Sequence, residues 1–119
     1  MVAREASSHA RNGTLATLAY ELGMSYVATH DAARALAAFS QASGPGGLPQ
    51  ARFQRGQTYL RIGDVQRASA DLEAFVALRD PSLAFEQQIA RSQLTEIARK
   101  QKTTTEDLRT PHQVNSTNN

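Results

Sequence analysis

The sequence predicts an all-α fold of stacked helical hairpins, and three observations carry that prediction. The first is internal repetition: at a constant offset of 33 residues, Gly23 recurs as Gly56, Tyr26 as Tyr59, Asp31 as Asp64, Arg34 as Arg67, Ala35 as Ala68 and Ala37 as Ala70. Related residues at the same offset pair Tyr20 with Phe53, Ser25 with Thr58, Val27 with Leu60 and Phe39 with Leu72. The second is periodicity, because apolar side chains recur every three or four residues, the spacing of a helix buried on one face. The third is punctuation: Ser43-Gly44-Pro45-Gly46-Gly47 and Asp80-Pro81 interrupt the helical pattern at about the interval of the repeat. Together they define a helix-turn-helix α-solenoid of about five helices.

Each element follows in order. Residues 1–13 are mixed small and polar and form a flexible lead-in or a short extra helical turn. The first repeat spans 14–47. Its first helix runs from Thr14 to about Ala28 on Leu15, Leu18, Ala19, Leu22 and Tyr26, and Thr29-His30-Asp31 breaks it. Asp31 then caps a second helix, Ala32 to about Ala42, whose carboxylate can accept from an exposed N–H of the first turn. The alanines of this helix favour helix intrinsically, and Ala35 lets two axes approach closely.

The second repeat spans 48–81. A helix from about Leu48 to Arg61 is closed by Ile62-Gly63, and Asp64 caps the next, Val65 to about Leu78, before Arg79-Asp80-Pro81 ends it. Ser82 is the expected cap of a long amphipathic helix over 82–102, carrying Phe85, Ile89, Ala90, Leu94 and Ile97, with Glu86 in its first turn and Arg99, Lys100 and Lys102 in its last. No second-helix pattern follows, so this helix reads as a terminal cap over the open apolar end of the stack. Residues 103–119 are polar and aromatic-free, the composition of a disordered tail.

A chain of 119 residues sets the expectation of one domain with one core. Thirteen Lys+Arg against eleven Asp+Glu leave a net charge of +2, too mild to call for nucleic acid. There is no cysteine, hence no disulfide framework and no thiolate metal site. The first residues lack the apolar run of a secretory signal, and no later run approaches a membrane span, so the expectation is a cytoplasmic protein without membrane insertion. Asn12-Gly13-Thr14 and Asn115-Ser116-Thr117 match the glycosylation triplet, which arises readily by chance and carries nothing without a secretory context.

Residues suited to catalysis do not converge. His9, His30 and His112 fall in the lead-in, a turn and the tail, at spacings that do not place two imidazoles on one helix face. His30 occupies the place of Gly63 in the other repeat, which points to a turn role. Gly44-Pro45-Gly46-Gly47 lacks the Lys-Ser/Thr of a phosphate loop. Arg52, Arg55, Arg61 and Arg67 read as solvated scaffold charge. The expectation is a non-enzyme with no metal and no cofactor.

The order Leu22-Gly23, Tyr26, Ala35, Phe39 resembles the tetratricopeptide repeat, a helical hairpin of about 34 residues with Leu-Gly, Tyr, Ala, Phe and Pro at fixed intervals. This chain departs from that pattern in two places: Gly47 stands at the proline position, between Pro45 and Pro49, and Arg55 replaces the Leu of the second Leu-Gly pair. The resemblance implies a protein-binding scaffold whose first helices line a concave groove. Carried over through the matching Gly and Tyr, the groove positions are Thr17, Tyr20, Met24 and Val27, then Gln50, Phe53, Gln57, Leu60 and Arg61. A partner peptide would dock on Tyr20, Met24, Val27, Phe53, Gln57 and Leu60, with Arg61 orienting an acidic group. The Lys and Asn carboxylate clamp of the chaperone-tail adaptors is absent, since Tyr20, Met24 and Gln57 hold its sites. An apolar groove is similar to that of the small tetratricopeptide chaperones of bacterial secretion, so adaptor or chaperone is the implied role. Two other readings stand beside it: these side chains pack against the lead-in or the third long helix, or the same surface pairs with another copy in a self-associating scaffold.

Overall fold

The computed structural model describes residues 2–109, with side chains described for 13–104. It contains five α-helices and no strand among the described residues: α1 (Val2–Ala28), α2 (Ala32–Ala42), α3 (Pro49–Arg61), α4 (Val65–Val76) and α5 (Ala84–Arg109), with a short 3-10 turn at Pro81–Leu83. The chain is all-α and built of consecutive helical hairpins.

The two turns share the same backbone hydrogen bonds and the same caps. The Asp31 N–H donates to the Tyr26 carbonyl at 2.8 Å, and the Asp64 N–H donates to the Tyr59 carbonyl at 2.9 Å. Each aspartate then caps the following helix, Asp31 accepting from the Arg34 N–H and Asp64 from the Arg67 N–H, both at 3.2 Å. His30 (φ 61°) and Gly63 (φ 83°) take the same left-handed place, so the turn role of His30 follows from backbone geometry. The glycines are equivalent too. A Cβ on Gly23 would fall 2.5 Å from the Phe39 ring, and one on Gly56 would fall 3.2 Å from Leu72, the residue that follows Phe39 by 33. The small residue on the first helix admits the large one on the second, and this close approach sets the packing within each hairpin.

Two clusters fill the interior. Ala35, Phe39, Ala42 and Ala51 form one, with Ala19, Tyr20, Tyr26 and Val27 packed on it. Phe53, Leu72, Phe75, Leu83 and Ala90 form the other, bordered by Leu60, Val76, Ile89, Leu94 and Ile97. Ala90 follows Gly56 by 34 residues and is fully buried, so α5 brings a small residue to the position where the preceding first helices carry glycine. Gln87 fixes α5 to the end of α4: its buried amide donates to the carbonyls of Phe75 at 3.0 Å and Leu78 at 2.7 Å.

Several boundaries differ from expectation. α1 begins at Val2, so residues 2–13, expected as a lead-in, continue the helix. Ala3, Ala6 and Ala10 favour it, and Gly13 in a helix interior costs only about 1 kcal/mol. α5 runs to Arg109 because no Gly or Pro interrupts it before Pro111, which takes in part of the expected tail; residues 110–119 lie outside the described residues. Ser82 is not the cap. Its N–H and hydroxyl both donate to Asp80, at 3.0 and 2.7 Å, and Asp80 caps the turn that leads into α5. The second repeat's α4 ends at Val76, two residues short of the expected Leu78.

Candidate functional site

The residues expected to form a docking face are split between core, contact and surface. Phe53 is a core residue, 6% exposed, its ring centroid 5.1 Å from that of Phe75. The correction has a simple cause: Phe53 is covered because it packs into one cluster with Leu72 and Phe75 of α4, Leu83 and Ala90. Gln57 faces α5 as well, its side-chain amide exchanging hydrogen bonds with that of Gln93 at 2.6 and 2.8 Å. Leu60 is half-buried against the same cluster. On α3, Phe53 and Leu60 therefore face the cluster that α4 and α5 complete, and Gln57 reaches α5 directly.

The α1 positions remain more open. Tyr20 is half-buried with its ring centroid 5.9 Å from that of Phe39. Burial pushes its phenol above the usual range, opposed by a hydrogen bond with Gln54 and assisted by the negative charge of Glu86. Met24 is 38% exposed, Val27 is half-buried, and the exposed Thr17 returns its hydroxyl to the Gly13 carbonyl at 3.0 Å. Gln50 is half-buried, its side-chain oxygen accepting no hydrogen bond. Arg61 is exposed in the last turn of α3 and makes no ion pair among the described residues.

Beyond Leu60 an open groove of about 780 Å³ runs between the α3–α4 turn and α5, lined by Leu60, Val65, Gln93, Glu96, Ile97 and Lys100 among others. Leu60, Val65 and Ile97 give it an apolar floor. Glu96, held by Arg99, stands at its edge, and the Arg99 hydrogen bonds keep this carboxyl below the ordinary carboxylate range. Of the residues named for this groove, the expected face had only Leu60. Gln93 was legible in one respect, since it follows Tyr59 by 34 residues and so stands in the place of the repeated tyrosine.

The arginines also divide. Arg67 pairs with Asp64 at the surface at 2.7 Å. Arg55 is not solvated scaffold charge. It makes a two-pronged pair with the buried Asp71, at 2.8 Å through Nε and 2.6 Å through Nη2, and reaches Ser40 Oγ at 3.0 Å.

Among the described residues, no three of His, Cys, Asp and Glu lie close enough to hold a metal ion, and no helix is long and apolar enough to cross a membrane. The fold and this groove define an all-α array of helical hairpins with an apolar surface at its edge. Comparisons with family models, curated proteins and solved structures give no match.

Proposed function

We propose that the chain is a non-catalytic protein-binding module of tetratricopeptide-like design, cytoplasmic, serving as an adaptor or a secretion-type chaperone. It takes a peptide segment of a partner protein. The observation that supports this reading most directly is the open groove with Leu60, Val65 and Ile97 on its floor and Gln93, Glu96 and Lys100 around it. Such a surface suits a short segment that inserts one or two apolar side chains while its backbone and polar groups stay at the rim. Arg61, beside Leu60, is the cation assigned to an acidic group on that segment. Each apolar anchor buried there contributes about 1–3 kcal/mol, which gives affinity in the micromolar range after the cost of association.

The docking surface is accordingly moved from the middle of α3 toward its end. On α1 Met24 stays exposed while Tyr20 and Val27 pack partly on the first core cluster, and Phe53 and Gln57 serve as packing residues. The test uses peptides selected from a displayed random library on the wild-type protein. Their affinities are then measured for Ile97→Ala and Lys100→Glu, with helicity checked by circular dichroism. At least a fivefold loss in folded Ile97→Ala is expected. Unchanged affinities in both variants, or selection that enriches no peptide, would reject the groove as the site.

A further inference from the structure

The second hairpin meets the first through the leading face of α3. Leu48 donates its N–H to the Ala42 carbonyl at 2.8 Å, Ala51 is fully buried with Ala35, Phe39 and Ala42, and Arg55 donates to Ser40. Subtracting 33 from these positions gives Leu15, Leu18 and Leu22 on α1. The first hairpin thus carries three leucines on the face by which its successor is seated, and no described element covers them: they are 57%, 57% and 48% exposed. With Gln41, Pro45 and Gly47 they wall an open groove of about 580 Å³, at the end of the array opposite α5.

We propose that this face binds a second copy of the chain, in a two-fold dimer whose α1 helices pack antiparallel. A two-fold interface must be complementary to itself. The leucine spacing of three and then four residues is nearly symmetric about a point between Leu18 and Ala19. Antiparallel packing about that point sets Leu15 of one copy against Leu22 of the other and brings the two Leu18 side chains together. The charge pattern agrees. Glu21 is the only Asp, Glu, Lys or Arg between Arg11 and Asp31, in a chain of which 20% is charged. A stripe so free of charge does not repel its own copy, and it offers no charge pattern by which a foreign partner would be selected.

The size is adequate for a reversible contact. The overlap over residues 13–24, symmetric about that point, is roughly 18 Å long, and with Gln41 and Pro45 beside it the contact lies at the small end of interfaces, that of weak and transient association. A contact of that size makes a reversible dimer, populated as concentration rises. This proposal goes beyond the peptide-binding reading and does not rest on it, because the two surfaces lie at opposite ends of the chain.

Sedimentation velocity over about 1–200 µM spans the relevant range. The wild-type chain is expected to shift from 12.9 kDa toward twice that mass as concentration rises. Leu18→Glu, at an exposed position and verified as folded by circular dichroism, is expected to weaken dimerisation at least tenfold. Because the chain has no cysteine, a single introduced thiol reports proximity. Leu18→Cys is expected to form a covalent dimer under mild oxidation, and Gln66→Cys, exposed on α4, is not. A wild-type monomer at the highest concentration overturns the proposal. So does a folded Leu18→Glu that dimerises like wild type, or equal crosslinking through both thiols.

Discussion

Arg55 and Asp71 form a two-pronged ion pair across α3 and α4, with hydrogen bonds of 2.8 and 2.6 Å, at positions where the first hairpin has Leu22 and Ala38. Both members stand at the same 33-residue offset from that apolar pair. The Asp71 side chain is only 7% exposed and that of Arg55 21%, so the Asp71 carboxylate has little access to water if Arg55 is lost, whereas Arg55 keeps part of its own. The hydrogen bonds to Asp71 are the chief cause that raises an already high guanidinium value of Arg55 further.

Truncating one member leaves the other stranded, so Arg55→Leu is expected to cost about 3 kcal/mol, the penalty of breaking a buried pair. The double change Arg55→Leu/Asp71→Ala restores the residue pair of the first hairpin and is expected to fall within about 1 kcal/mol of wild type, since apolar replacements of buried pairs are often neutral. Urea unfolding of the two singles and the double gives the coupling directly. Additive losses would show that the pair acts through independent contacts.

The two repeated glycines are not equally tolerant. At Gly23 a methyl would overlap the Phe39 ring at 2.5 Å, and Phe39 is fully buried with no room to retreat. Gly23→Ala is therefore expected to destabilise by about 1–3 kcal/mol. At Gly56 the nearest atoms are those of Leu72 at 3.2 Å and Asp71 Cβ at 3.3 Å, so a shift of a few tenths of an ångström is enough. There the helix-propensity gain of about 1 kcal/mol offsets the crowding, and Gly56→Ala is expected near wild type. Thermal melts of both variants decide it. A Gly56→Ala loss as large as that of Gly23→Ala would mean that Leu72 is as rigid as Phe39.

How much could be read in advance follows from what local sequence encodes. The hairpin repeat, the aspartate caps and the turn role of His30 were legible because each depends on residues within one or two helical turns: Asp31 with Arg34, Asp64 with Arg67, His30 with Val27. The placement of Phe53, Gln57 and Leu60 was not, because it depends on where α5 lies, and no periodicity states the angle at which a third helix crosses the second pair. The run of α5 to Arg109 was legible in the lack of Gly or Pro before Pro111, but the polar composition after Thr103 outweighed that signal. The Arg55–Asp71 pair was readable in principle. The offset that links Gly23 with Gly56 also links Ala38 with Asp71, and an acid at an otherwise apolar position is the mark of a compensated charge.

The Asp64 cap gives a pH dependence of known sign. The Arg67 side chain and backbone N–H hold the Asp64 carboxyl below its ordinary value of 3.8. A carboxyl whose folded value is depressed contributes stability above its unfolded value and loses it as pH falls through the folded one. The α4 cap should therefore persist at neutral pH and fail only in acid below about 4. A carboxyl-resolved NMR titration is expected to show the Asp64 midpoint below that of a model aspartate, moving upward in Arg67→Ala. An unchanged midpoint in that variant would leave the backbone N–H as the whole cause.

His30 and Gly63 make the turn comparison most direct, because they hold the same backbone place with different side chains. A non-glycine residue at φ 61° bears a steric cost of about 1 kcal/mol between its Cβ and the following carbonyl. Glycine escapes that cost but loses more backbone entropy on folding, so His30→Gly is expected to stabilise by only about 0.5 kcal/mol. A β-branched residue meets the same clash with less freedom at χ1, and His30→Val is expected to destabilise by about 1–2 kcal/mol. Chemical unfolding of both variants separates backbone geometry from imidazole chemistry. If His30→Gly instead loses stability to the same extent as His30→Val, then the imidazole itself holds the turn, and the equivalence of His30 with Gly63 is one of shape without shared cause.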